Sequence, residues 1–153
     1  MLATLRYAET RSMLTLNAAS IPALVARTVL ALALTLPAAA WAQHRVVFQV
    51  SDADPAKWNL ALNNARNVQQ ELATAEVEIV AYGPGIGMLK MESAVAPRIA
   101  EALKQRVKVV ACENTMTAQK LTRADMTEGI AYVPAGVVEL IRLQREGWAY
   151  IRP

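Results

Sequence analysis

From residue 45 onward the chain repeats one device. A short run of apolar, mostly β-branched residues breaks into a polar or glycine-rich stretch, and a segment with helical spacing follows. The first three runs are RVVFQV (45–50), VEIVAY (77–82) and VKVVAC (107–112), and shorter ones follow at 130–133 and 148–151. Runs this short, bounded by turn signals and alternating with helices of ten to seventeen residues, are βαβ units, and a run of such units builds a parallel sheet. After the first run, Asp54 can cap a helix that has Pro55 in its first position, where proline loses no hydrogen bond. Ala61, Ala65, Val68 and Leu72 then recur at helical spacing, with Trp58 and Leu62 widening the stripe. The motif GPGIG (83–87) stops the second run in a tight turn. The spacing predicts short helices over 88–93 and 115–121, with a turn near 123–126. A better helix over 95–104 places Val95, Ile99 and Leu103 on one face. A last helix begins at Pro134, with Val137, Val138 and Ile141 facing inward. The fold class expected is therefore α/β: a three-layer, doubly wound domain on a five-stranded, mostly parallel sheet. Right-handed crossovers place helices on both of its faces.

The first 42 of the 153 residues read differently. Arg6, Arg11 and Arg27 precede an apolar run over 28–42 that ends in the small-x-small pattern Ala40-Trp41-Ala42. That is the pattern of a secretory signal peptide, cut before Gln43. The run is about fifteen residues long and contains Pro37, whereas a spanning helix needs roughly twenty. The expectation is export by the general route to the periplasm, no membrane association after cleavage, and a single domain over 43–153. Removing 1–42 takes three arginines and Glu9 from the 16 basic and 13 acidic residues, leaving a nearly neutral domain. With no Lys/Arg cluster and no interleaved aromatics, nucleic-acid binding has no support.

The catalytic inventory is small. His44 is the only histidine, so no His-based triad or His-rich metal site can be built. GPGIG lacks both the dinucleotide-binding spacing and the Lys-Ser/Thr of a phosphate loop. Asp52 and Asp54 read as helix-capping residues before they read as an acid/base pair, and the methionines as core fillers. Cys112, the only cysteine, ends the third run and leads into Glu113, Asn114 and Thr115. In a parallel sheet, reactive groups collect beyond the carboxyl ends of the strands. There the breaks after the first three runs meet, which makes Asp52, Gly83, Gly85, Glu113, Asn114 and Thr115 candidates for a pocket around Cys112. A nearby helix amino terminus would favour thiolate over thiol, and Lys120 and Arg123 are nearby cations. Glu113 would oppose that effect if it faced the sulfur. A small buried hydrophobe is an equally good reading of Cys112 from position alone.

Four stretches carry a resemblance: VVFQVSDADPAKWNLALNNARNVQQEL, VEIVAYGPGIGML, VKVVACENTM and YVPAGVVELIRLQREGWAYIRP. Together they resemble the DsrE/DsrF-like family, closest to its small YchN-like single-domain members. The resemblance implies a five-stranded α/β domain that assembles as a homotrimer or homohexamer. It also implies that Cys112 takes sulfane sulfur as a persulfide from a donor protein and yields it to an acceptor, with neither cofactor nor metal. A thiol sensor is a variant of that role. Two alternatives stand beside it. One is a non-catalytic oligomeric module with a buried structural cysteine. The other is a small-ligand pocket formed by Asp52, Gly83, Gly85 and Asn114.

Overall fold

The computed structural model describes residues 44–153, and the signal peptide expected over 1–42 lies outside the described residues. The elements in order are β1 (Arg45–Val50), α1 (Pro55–Glu71), β2 (Glu76–Ala81), a 3-10 helix (Gly83–Leu89), α2 (Ala96–Lys104) and β3 (Lys108–Cys112). They continue with α3 (Glu113–Ala118), a 3-10 turn (Arg123–Asp125), β4 (Ala131–Val133), α4 (Gly136–Arg145) and β5 (Ala149–Ile151). The sheet order is β4-β3-β2-β1-β5, and every pairing is parallel. The expected α/β class with helices on both faces is what the chain adopts, its sheet wholly rather than mostly parallel.

The two faces are covered unequally. On one, α1, α2 and the 3-10 helix seal a large core that includes Phe48, Ile79, Ile86, Met88, Leu89 and Ile99. On the other, α4 alone packs Leu140 and Leu143 on Val47, Val80 and Val110. Successive side chains of a strand point to opposite faces. In β3, Val109 and Ala111 therefore belong to the large core, while Lys108, Val110 and Cys112 lie beneath α4.

Local expectations needed four corrections. Val137, Val138 and Ile141 do not face inward: they are 51%, 59% and 52% exposed, and α4 buries Gly136, Glu139, Leu140 and Leu143. The helix is apolar on two sides, so periodicity alone could not choose its rotation. Its contact with the sheet is set at Gly136, where an added Cβ would lie 3.1 Å from Tyr82 Cβ and 3.3 Å from Cys112 Cβ. The turn expected at 83–87 and the helix expected over 88–93 are one 3-10 helix ending at Leu89, and Met91 is exposed. Leu72 is the C-cap residue of α1 and is exposed rather than part of its buried stripe. Finally, α3 begins at Glu113 and not near 115, so no loop separates β3 from α3 and Cys112 is itself the N-cap residue.

Candidate functional site

That short junction decides the setting of the thiol. An N-cap side chain normally accepts hydrogen bonds from backbone N–H groups two or three positions into the helix. Cys112 holds that position, although its side chain makes no capping hydrogen bond. From the other side comes Gly136, the first residue of α4, where an added Cβ would lie in tight contact, 3.3 Å from the Cys112 Cβ. The Pro134 carbonyl is 3.9 Å from Sγ and also accepts from the Asn114 N–H at 3.0 Å. The thiol is thus enclosed by the start of α3 and the β4–α4 loop, and Cys112 is only 5% exposed.

Burial is the largest single influence on this thiol and pushes its pKa up. Against it stand the hydrogen bonds a thiolate accepts from the Thr115 hydroxyl and from the backbone N–H groups of Gly136, Thr115 and Asn114. Together they outweigh burial, and the pKa lies below the ordinary thiol value. The Thr115 hydroxyl first and the backbone amides after it, and not the expected cations, make the difference. Arg123 is committed elsewhere: its guanidinium pairs with Glu113 at 2.8 Å and lies 4.3 Å over the Tyr132 ring. That pairing also occupies the Glu113 carboxylate with a cation. Lys120 is exposed just beyond the end of α3, in a left-handed conformation with φ 56°.

The remaining candidates divide. Thr115 and Gly83 come together, the Gly83 N–H donating to Thr115 Oγ1 at 2.9 Å. Gln119 Nε2 closes the contact by donating to the Gly83 carbonyl at 3.2 Å. Gly85 is buried against the end of β1, where an added Cβ would lie 2.3 Å from the Val50 carbonyl oxygen. It fixes the loop's position and does not line an opening. The side chain of Asp52 pairs with Lys57 at 3.1 Å and with Arg152 at 3.5 Å. Asp54 caps α1 by accepting from the Ala56 N–H at 2.8 Å. Asn114 is exposed, with its N–H on Pro134.

Sequence reasoning missed two features. Gly136 was unremarked, though a glycine opening a helix directly after a strand is the sort of position where two backbones meet closely. The second is a set of charges beneath α4. Glu78 is 1% exposed, and its Oε2 accepts from Lys108 Nζ at 3.0 Å while its Oε1 has no partner. Lys108 also lies 3.6 Å from Glu139 Oε1, and Arg142 grips Glu139 with two hydrogen bonds at 2.9 and 2.7 Å. Burial raises the Glu78 pKa above its usual value, and the Lys108 ammonium does not fully offset it. The Arg142 guanidinium holds Glu139 below its own. The signal was available: parallel strands read as near-continuous apolar runs, and a glutamate inside VEIV and a lysine inside VKVV break that pattern on neighbouring strands.

A cavity of about 1030 Å³ opens at the opposite edge of the sheet, between the carboxyl ends of α1 and α2 and Trp148. None of the expected site residues lines it, and the chemistry of the thiol is elsewhere.

The fold has relatives. The profile of the DsrE/DsrF-like family matches residues 44–153. Protein of unknown function MTH1491 from Methanobacterium thermoautotrophicum is 37% identical with a TM-score of 0.71, the match covering 72% of this chain and 100% of that one. Conserved protein of unknown function BT1422 from Bacteroides thetaiotaomicron has the same fold at 14% identity and a TM-score of 0.61, over 71% of this chain and 94% of its own. No curated protein matches the chain. With the profile spanning the whole described domain, the chain belongs to the DsrE/DsrF-like family, a group commonly associated with sulfur relay.

Proposed function

We propose that this chain is an exported, homo-oligomeric carrier of sulfane sulfur, in which Cys112 holds the sulfur as a persulfide. The observation that carries the reading is a single thiol at the carboxyl rim of a family-matched domain, held between the start of α3 and the Pro134 carbonyl, with its pKa below the ordinary thiol value despite burial. The chemistry follows from thiol exchange. The Cys112 thiolate attacks the outer sulfur of a donor persulfide. A new S–S bond forms, the donor's S–S bond breaks, and the donor leaves as a thiolate. An acceptor thiolate later attacks the outer sulfur on Cys112 and restores the starting thiolate. Electrons balance at each step, and neither a metal nor a cofactor takes part.

Support for export lies in Arg6, Arg11 and Arg27, the apolar run ending Ala40-Trp41-Ala42, and a family match that begins at residue 44. Support for self-association is the outward strip of Val137, Val138 and Ile141 on α4. Half-exposed aliphatic side chains on one helix are the kind of surface a second subunit covers.

A second reading is favoured by one observation, the 5% exposure of Cys112. In that reading the cysteine is structural and the protein is a non-catalytic oligomeric module. Intact mass separates the two after polysulfide treatment of the folded protein. The carrier gains about 32 Da per sulfur, and Cys112→Ala gains nothing. A wild-type protein that neither gains mass nor reacts with alkylating reagents until it is unfolded belongs to the second reading.

A further inference from the structure

The cavity of about 1030 Å³ at the amino end of the sheet combines an aliphatic floor with unmatched polar groups. Ala65, Val77, Ala102 and Val107 are buried and form the floor. Arg66 on α1 and Arg106 beyond α2 stand exposed at its edge, and neither is ion-paired among the described residues. The other lining cations are engaged, Arg98 with Asn59 and Asn63, and Lys108 with Glu78 and Glu139. Of the two lining carboxylates, Glu101 lies 3.9 Å from Lys104, and only Glu76 is left to offset the two arginines. Helix carbonyls that would repel an anion are taken: Gln69 Nε2 donates to the Gln105 carbonyl, and the N–H groups of Arg106 and Val107 to those of Leu103 and Ala102. Arg106 has φ 65°, in the left-handed region, at the place after a helix where glycine is the unstrained choice. Among the described residues three buried side-chain polar atoms lack a hydrogen-bond partner, and two of them, Gln69 Oε1 and Trp148 Nε1, belong to residues that line this cavity. One can accept a hydrogen bond and the other can donate one.

We propose that this cavity binds a small amphipathic organic anion, its charged end on Arg66 and Arg106 and its apolar body on the aliphatic floor. The volume suits one small molecule. Guanidinium forks match the oxygens of a carboxylate or another oxyanion, and a charged partner roughly doubles the strength of each hydrogen bond. A buried donor and a buried acceptor left unmatched destabilise the empty site, so a ligand with a polar group of its own between charge and chain gains from meeting them. An acylated amino acid has that constitution: a carboxylate, an amide that both donates and accepts, and a hydrocarbon tail. The site lies at the opposite end of the sheet from Cys112 and does not depend on the sulfur-carrier reading.

The experiment is an NMR titration of the full chain with N-octanoylglycine, read at the indole N–H groups of its three tryptophans. The Trp148 signal, assigned with Trp148→Phe, should shift and saturate. The Trp58 signal should stay in place, because that indole donates to the Asp52 carbonyl at 2.7 Å at the other end of the sheet. The neutral N-octanoylglycinamide should bind about tenfold more weakly, as should the acid to Arg66→Gln and to Arg106→Gly, the loss of one charge-assisted hydrogen bond in each case. Arg106→Gly removes the guanidinium from a backbone conformation that glycine favours, so its thermal midpoint should not fall. Arg66→Gln alters an exposed helix position and provides an independent variant. A Trp148 signal that does not saturate, a Trp58 signal that moves in step with it, or equal binding of the acid and the neutral amide overturns the proposal. If Arg106 serves only the end of α2, Arg106→Gly lowers the thermal midpoint and leaves the titration unchanged, and that pattern also overturns it.

Discussion

Lys108 is the residue whose removal should be felt most strongly beneath α4. Lys108→Met keeps the aliphatic stem and deletes the charge that lies 3.0 Å from Glu78 and 3.6 Å from Glu139. Breaking a fully buried ion pair costs roughly 3–5 kcal/mol, because the charge left behind has no compensation. Glu78 fits that case at 1% exposure, but Lys108 is half exposed and water screens it. The expected loss at pH 7 is therefore about 2 kcal/mol. Glu78→Gln should cost less than about 1 kcal/mol, since the amide still accepts from Lys108 and offers an N–H to the Glu139 carboxylate. In the double variant no Glu78 charge remains to be left unpaired when the lysine is removed, so the two effects should fall short of additive by about 1–2 kcal/mol.

The pH dependence has a definite sign. Burial raises the folded-state pKa of Glu78 above its usual value near 4.5, so the folded chain holds that proton more tightly than the unfolded one. Its contribution is complete below about 4.5 and is lost as the pH rises through the raised folded value. Glu139 runs the other way. Arg142 lowers its pKa, so its contribution is present above the usual value and is lost as the pH falls through the lowered one. The deficit of Lys108→Met should thus shrink as the pH falls from about 7 toward the usual glutamate value of 4.5, because a Glu78 that holds its proton more tightly needs Lys108 less. Urea unfolding of the four proteins at both pH values measures all of this. Equal deficits at the two pH values, or additive single effects, would refute the account of Glu78 as a buried carboxylate that depends on Lys108.

Two further outcomes follow from the proposed assembly and export. Val138→Glu combined with Ile141→Lys should convert the oligomer to monomers in light scattering after size exclusion, with the monomer's own fold stability changed by no more than about 0.5 kcal/mol because both side chains point outward; an oligomer of unchanged mass removes α4 as the interface. Cell fractionation should place a protein shortened by the 42-residue leader in the periplasm, and full-length protein in the cytoplasm would overturn the compartment.

Much of the site was legible before the structure, and what was missed has a common cause. That Cys112 ends a strand at the carboxyl rim follows from one apolar run meeting a polar one. The helix start came out two residues late, because CENT looks like a loop and no capping oxygen marks the boundary. A cysteine in a capping position is invisible to the usual Ser/Thr/Asp/Asn signal. The search for a cation near the thiol turned to Lys120 and Arg123 because charges are readable in a sequence and backbone amides are not.

The alternation of apolar runs with helical segments was enough, by itself, to determine a parallel α/β sheet with Cys112 at its carboxyl edge, because strand and helix periods are local properties of neighbouring residues. Which side of α4 meets the sheet was decided only in three dimensions. Valines and leucines lie on both sides of that helix, and the choice fell to Gly136 closing on Tyr82 and Cys112. The cover over the thiol, the Gly83–Thr115 contact and the charges around Glu78 likewise join residues from different βα units. Their geometry depends on how separate units dock, and spacing along one chain segment carries no record of that.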